Sequence, residues 1–355
     1  MSKNKLSIGI IGAGGIGNVH IETFAKVEGV EVRAVADAYL PLAQQRAEEH
    51  SIATVYADPQ KLLEDDSIDA VSICVPNQYH APLAIEALKR GKHVLLEKPM
   101  AIDSESARAI VAQAEQSGKV VMLAHQMRWR GLSRAVLQRI QNGDVGRIYN
   151  AKTGWMRKKG IPGWGSWFTQ KDQSGGGPLI DIGVHMLDLS LYLMGNPKPV
   201  SVYGSTYAEF GPNKEGIGTW GTPNWEGRYD VEDLASALIK LEDGATLSLD
   251  VSWAAHSAGL PEAPFIHLMG TRGGVAIVGE KAFYVTHTEE GVTESEIEPL
   301  DGEEDRVLMA EHFVSCVLEG KEPIASAMSG YTNNRILDAI YESSRTGGEV
   351  KLSWR

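Results

Sequence analysis

Cysteine is nearly absent from this 355-residue chain: only Cys74 and Cys316 occur, far apart and in no CxxC or Cys/His spacing. That excludes a disulfide framework and a thiolate zinc centre, and no metal is expected. Cys74 lies in the apolar run AVSICV, where a free thiol packs as a small hydrophobe. Long apolar runs are missing too. No stretch reaches the roughly 18 consecutive apolar residues of a membrane span, and MSKNKLSIGIIG passes directly into a β-branched run without leader-like features, so cytoplasm is the expected compartment. Positive charge is in deficit: 34 Lys and Arg face 46 Asp and Glu, a net charge of −12. Such a surface repels phosphate backbones and anionic lipid, and the short run Arg157, Lys158 and Lys159 does not reverse it. Neither nucleic acid nor membrane is an expected partner.

What is present is an ordinary globular composition, 43% apolar and 23% charged, in a chain long enough for two domains. From Leu6 to about Ala124 the runs LSIGII, VEVRAVA, ATVY, DAVSICV, HVLLE and VVMLA alternate with helical patterns, the rhythm of βαβ units around a parallel sheet. Helices are expected from about Ile16 and around PLAQQRAEEH, PLAIEALKRG and ESARAIVAQAEQSG, the last two ending at Gly91 and Gly118. Beyond His125 the character changes to α+β. A helix around SRAVLQRIQNG leads into a Trp- and Gly-rich stretch, a helix from Ile180 to Met194, and long strands with turns expected at Asp243-Gly244 and Gly273-Gly274. Helical period returns over about 303–319 and 329–346, and the second of these is a candidate to pack across the domain boundary.

GAGGIG, Gly12 to Gly17, follows the first strand and opens a helix, the context that the GxGxxG dinucleotide fingerprint requires. Gly12 permits the tight turn, Gly14 the approach of a pyrophosphate, and Gly17 close helix packing; Gly15 and Ile16 complete the loop. Asp37, at the end of the second strand, can accept hydrogen bonds from both ribose hydroxyls of NAD and repel a 2′-phosphate, which favours NAD over NADP. The fold class is therefore α/β: a Rossmann dinucleotide-binding domain over 1–125, then an α+β domain over 126–355 with a mainly antiparallel sheet, for substrate binding and oligomerisation.

Two further motifs, EKP at Glu97 to Pro99 and SGGGPLIDIGVHMLD at Ser174 to Asp188, stand with GAGGIG and VPNQYH (Val75 to His80) in an order that resembles the Gfo/Idh/MocA oxidoreductases over essentially the whole chain. Alone, EKP is equally a surface lysine before a proline, and His185 a core histidine beside a helix-capping Asp181. The resemblance implies more. Lys98, Asp181 and His185 become the catalytic set, with a cis peptide before Pro99, and Val75, Pro76, Asn77, His80, Glu97, Lys98 and Gln126 become cofactor contacts. His125 is a weaker candidate there, and Arg128 begins the second domain.

Oxidising a hydroxyl needs a hydride acceptor and a base. His185 is the natural base, Lys98 steadies the reacting oxygen, and Asp181 orients substrate. Which of His185 and Lys98 first takes the proton stays open. Trp155, Trp164 and Trp167 stand among glycines, and aromatic faces suit sugar rings as they suit interfaces. Trp164 is the expected ligand contact, with Arg157 as a further substrate group. Trp220 and Trp225 form a similar pair that could reach a neighbouring subunit. The substrate expected is a sugar, sugar derivative or inositol. The alternatives are a glycoside lyase or hydrolase with transient NAD-mediated oxidation, and a non-catalytic NAD- or sugar-sensing regulator. An open sheet face in the second domain predicts a homo-oligomer, dimer or tetramer.

Overall fold

The computed structural model describes residues 5–260, 262–302 and 304–354. The chain forms two compact units: Met1–Gln126 with Glu303–Tyr331, and Met127–Gly302 with Thr332–Arg355.

The first unit runs β1 (Leu6–Ile11), α1 (Gly15–Ala25), β2 (Val30–Ala36), α2 (Leu40–His50), β3 (Thr54–Tyr56), α3 (Pro59–Leu63), β4 (Ala70–Ile73), α4 (His80–Lys89), β5 (His93–Leu96), α5 (Ser104–Ser117) and β6 (Val121–Leu123). The six strands are parallel in the order β3-β2-β1-β4-β5-β6, the doubly wound arrangement of dinucleotide-binding domains. Ile8, Ile10, Val71, Ile73, Val94, Leu95 and Leu96 are all 0% exposed, which is why these strands read as unbroken apolar runs: helices cover both faces. Asp103 caps α5 through the Ser106 N–H, and Gly118 ends it at φ 65°.

The second unit contains α6 (Gly131–Gln141), β7 (Ile148–Met156), α7 (Lys171–Ser174), α8 (Val184–Leu193), β8 (Pro199–Tyr207), β9 (Leu234–Leu241), β10 (Thr246–Ser252), β11 (Phe265–Gly270), β12 (Gly273–Val278), β13 (Lys281–Thr288) and β14 (Gly291–Ile297). Then come α9 (Asp305–Glu319), α10 (Ala327–Thr346) and β15 (Val350–Lys351). The nine-stranded sheet has the order β14-β13-β12-β11-β7-β10-β9-β8-β15, and only β7 and β10 pair in parallel. Alternation is clean: Ala235, Ala237, Ile239 and Leu241 point into the core beneath the helices, while Tyr203 and Leu238, cross-strand neighbours on the other face, are 53% and 50% exposed.

Three expectations are corrected. α9 belongs to the first unit rather than the second, because Phe313 stacks edge-on against Phe24 of α1 at 6.5 Å and Lys26 pairs with Glu304 at 2.8 Å. The hairpin after β11 turns at Thr271 and Arg272, not at Gly273-Gly274. Gly273 instead opens β12, at a position where a Cβ would sit 2.7 Å from the Tyr284 ring. The helix expected from Ile180 begins instead as a π-turn over Leu179–Gly183 and becomes α-helical only at Val184.

Candidate active site

In the first unit, a cradle is built almost entirely from backbone. Gly12 has φ +100°, and a Cβ there would lie 2.3 Å from the Cys74 carbonyl; one on Gly17 would lie 1.9 Å from the Gly12 carbonyl. These glycines let β1, β4 and α1 meet. Gly14 and Gly15 face open space, and Gly14 caps α1 without a side-chain hydrogen bond, so the amides at the start of an 11-residue helix point outward as an anion cradle. Asp37 is fixed beside it. Its Oδ2 accepts from the Ala13 N–H at 2.7 Å and its Oδ1 from the Tyr39 N–H at 2.8 Å, which aims a half-buried carboxylate with lone pairs to spare. Open glycines, bare helix amides and an oriented acid together fit a bound NAD.

Lys98 is half-buried and followed by a cis peptide to Pro99. Two neighbours that the resemblance makes cofactor contacts, Glu97 and His80, have side chains that are turned inward. Glu97 accepts from His20 Nε2 at 3.0 Å and from the Lys98 N–H at 3.1 Å, with Arg306 3.8 Å away. Burial alone would raise the Glu97 carboxyl, but His20, Arg306 and Lys98 hold it at about 2. Burial likewise opposes the His20 imidazolium, yet Cys74 and Glu97 keep it at about 10. His80 is 1% exposed, with Nδ1 2.7 Å from the Pro99 carbonyl and Nε2 2.9 Å from the Val75 carbonyl. Burial holds its pKa below the usual value. Its ring lies between the VPN and EKP turns, with one nitrogen beside a carbonyl of each. Val75 and Pro76 are half-buried, Asn77 is 7% exposed, and Gln126, half-buried, ends this stretch of the unit.

In the second unit the π-turn and α8 carry Asp181 and His185. Every residue from Leu179 to Leu191 is buried except these two, which are half-buried and four apart in sequence. The π-turn leads directly into α8 at Val184. The indole N–H of Trp253, 0% exposed, donates to Asp181 Oδ2 at 3.0 Å. Half-buried Arg157 feels the Asp181 charge while burial pulls its own pKa down, and its guanidinium lies 4.3 Å from the Trp155 ring centre. The start of the π-turn is clamped by buried Glu232, whose two oxygens accept from the Gly177 and Leu179 N–H groups, each at 3.0 Å, and from the Tyr341 hydroxyl at 3.0 Å. Burial raises the Glu232 pKa against those three donors. Farther along, Asp188 is 2% exposed and receives two hydrogen bonds from Arg128, at 2.7 and 2.6 Å, and one from Asn333 at 2.9 Å.

Trp164 does not offer its ring to a ligand. It is 5% exposed, stacked on Trp225 at 5.8 Å and Tyr229 at 6.5 Å, under the Lys214 ammonium at 4.7 Å, with its N–H donating to the Gly211 carbonyl. The exposed indoles are Trp220 and Trp225. Sequence reasoning missed Trp253, Glu232, Tyr341, His20 and Arg306. Only the close glycines at Gly176 and Gly177, where a Cβ would lie 1.9 Å from the Tyr341 hydroxyl and 2.0 Å from the Glu232 carbonyl, hint that something packs there. Among the described residues no group of three or more His, Cys, Asp or Glu could hold a metal ion, and no helix is long and apolar enough to cross a membrane.

Residues 6–125 match the model of an oxidoreductase family with an NAD-binding Rossmann fold, and residues 133–276 match the GFO/IDH/MocA C-terminal domain. The chain belongs to the Gfo/Idh/MocA oxidoreductase family. It is 34% identical to the D-glucoside 3-dehydrogenase of Escherichia coli (strain K12), covering 99% of both chains. It is 26% identical to a D-xylose 1-dehydrogenase (NADP(+)) of Haloferax volcanii, over 98% of this chain and 100% of that one. Its structure resembles a levoglucosan dehydrogenase in complex with NADH and levoglucosan, with a TM-score of 0.85 and 25% identity over 98% of this chain and 99% of the other.

Proposed function

We propose that the protein is an NAD-dependent dehydrogenase that oxidises a secondary hydroxyl of a sugar, with a D-glucoside as the favoured substrate class. The observation that carries this reading is the pair Asp181 and His185, the two residues that are not buried between Leu179 and Leu191. It is supported by the full-length similarity to a glucoside dehydrogenase. NAD is favoured over NADP because the Asp37 carboxylate is locked toward the ribose side of the cradle, where a 2′-phosphate would meet its charge.

Bound NAD supplies the hydride acceptor. His185 takes the hydroxyl proton, Lys98 donates a hydrogen bond to the reacting oxygen as negative charge develops there, and Asp181 accepts from a substrate hydroxyl and so fixes the ring. Trp253 keeps Asp181 in the orientation that this requires. Arg157 offers a second polar contact beside Asp181. The exposed Tyr203, Tyr207 and Leu238 on the open sheet face support assembly of the enzyme as a homo-oligomer through that face.

The test is NAD reduction by purified protein against glucosides, aldoses, levoglucosan and inositols, run beside Lys98→Ala. NADH formed by the wild type and reduced by about 10²–10⁴-fold in the variant supports the proposal. Demonstrable NAD binding with no NADH from any compound overturns it.

A further inference from the structure

Of the eight tryptophans, only Trp220 and Trp225 are exposed, at 63% and 54%. They do not hang from a slack loop. The Gly160 and Ile161 amides donate to the Gly216 carbonyl at 2.9 and 3.0 Å, Gly218 to Ile161 at 2.9 Å, Gly163 to the Trp220 carbonyl at 2.9 Å, and Asn224 to the Trp164 carbonyl at 2.7 Å. Glycines face each other across this double loop: a Cβ on Gly165 would lie 1.9 Å from the Asn224 carbonyl, and one on Gly227 1.9 Å from the Gly165 carbonyl. No side chain fits between the two loops, so they are held backbone to backbone. What they present outward is the indole pair. Trp225 has one partner ring, Trp164, stacked at 5.8 Å and 24°, and Trp220 stands edge-on to Phe168 at 4.8 Å. Thr222, Asn224 and Glu226, all exposed, flank the rings.

The double loop starts against the backbone of Trp253, the residue whose side chain reaches the candidate catalytic carboxylate. A Cβ on Gly160 would lie 3.3 Å from the Trp253 carbonyl, and the Trp253 indole holds Asp181 at 3.0 Å. From Gly160 to Gly163, the residue bonded to Trp220, is three residues, at most about 10 Å of extended chain. Two exposed indoles on one backbone-braced double loop, each held by its own ring partner and flanked by polar groups, suit the C–H face of a ring carrying hydroxyls, or an aryl group.

We propose that Trp220 and Trp225 form an aromatic subsite for the aglycone end of a glycoside, the ring or group beyond the sugar that is oxidised. This rests on the glucoside reading given above. It assigns to these residues a choice between free or methylated sugars and longer glycosides.

Binding to NADH-saturated protein, measured by calorimetry with the methyl and phenyl glucosides of both anomers, tests this without requiring turnover. The wild type is expected to prefer a phenyl glucoside over the matching methyl glucoside. Trp220→Ala and Trp225→Ala should each reduce that affinity ratio by about tenfold, and Trp225→Phe should restore most of it. A wild type without the preference, variants that keep the ratio, or a wild type that binds neither glucoside would overturn the subsite. A changed elution volume on size exclusion with the ratio intact would also overturn it, by making the indoles a contact between copies of the chain. NADH formation from another sugar in any of these cases would leave the dehydrogenase reading standing.

Discussion

Comparing the two units shows two ways of holding a functional group. In the first, the cradle is contiguous: Gly12 to Gly17 supply turn, amides and helix start within one short segment, and the one side chain that matters, Asp37, is tied back to that segment through Ala13. In the second, Asp181 and His185 sit on a π-turn and the helix it opens, whose position is set from far along the chain. Glu232 reaches back 55 and 53 residues to Gly177 and Leu179, and Trp253 reaches 72 residues to Asp181. Backbone geometry makes the first robust and local; buried side-chain hydrogen bonds make the second dependent on the sheet that carries them.

The largest effect should come from breaking the local device. Gly17→Ala puts a methyl 1.9 Å from the Gly12 carbonyl, backbone that cannot yield, so NADH affinity should fall by more than about 100-fold. Fluorescence titration reads the loss, and circular dichroism checks that the variant is folded. Next is Glu232→Ala, which orphans two buried amides and the Tyr341 hydroxyl; at about 1–3 kcal/mol per lost partner, it should lower Tm clearly and reduce kcat/KM. Glu232→Gln, with one acceptor oxygen left, should fall between.

The two ways of holding a group also differ in how far the sequence disclosed them. The parallel sheet, GAGGIG and the placing of Asp37 follow from spacing and local pattern, because their physical requirements are met by neighbours in the chain, whereas Lys98 was singled out only by the family resemblance. The π-turn, the Trp253 and Glu232 hydrogen bonds, and the inward turn of Glu97 were not legible, since each is decided by a partner that only the fold brings near. Trp164 was misread for the same reason. Its glycine-rich surroundings look like a ligand loop, but those glycines exist to admit a second loop, which covers the ring.

A milder test is Trp253→Phe, which keeps the buried volume while removing the N–H that aims Asp181. A drop of about 10- to 100-fold in kcat/KM with NADH affinity unmoved would locate its effect in the second unit alone. A parallel loss of NADH affinity would erase the distinction between the units. Asp37→Ser should then shift the kcat/KM preference from NAD toward NADP by about tenfold, because it removes the charge opposing a 2′-phosphate.

A separate effect, confined to the first unit, is on pH-dependent stability. The His20 pKa is raised from 6.5 to about 10, so its contribution is complete below about pH 6.5 and is lost as pH rises through 10. The Glu97 pKa is lowered from 4.5 to about 2, so its contribution is complete above about pH 4.5 and is lost as pH falls through 2. Thermal melts should show Tm declining between pH 6.5 and 10, and His20→Gln should flatten that alkaline slope. An unchanged slope would mean that the pair contributes nothing to folding.

The most direct test of the division between the units is His185→Ala, assayed for NADH binding and for NAD-dependent turnover of a glucoside in the same preparation. The account predicts an NADH Kd within about twofold of wild type and a kcat/KM lower by about 10²–10⁴-fold. Turnover near wild type, or an NADH Kd lost in step with activity, would contradict it.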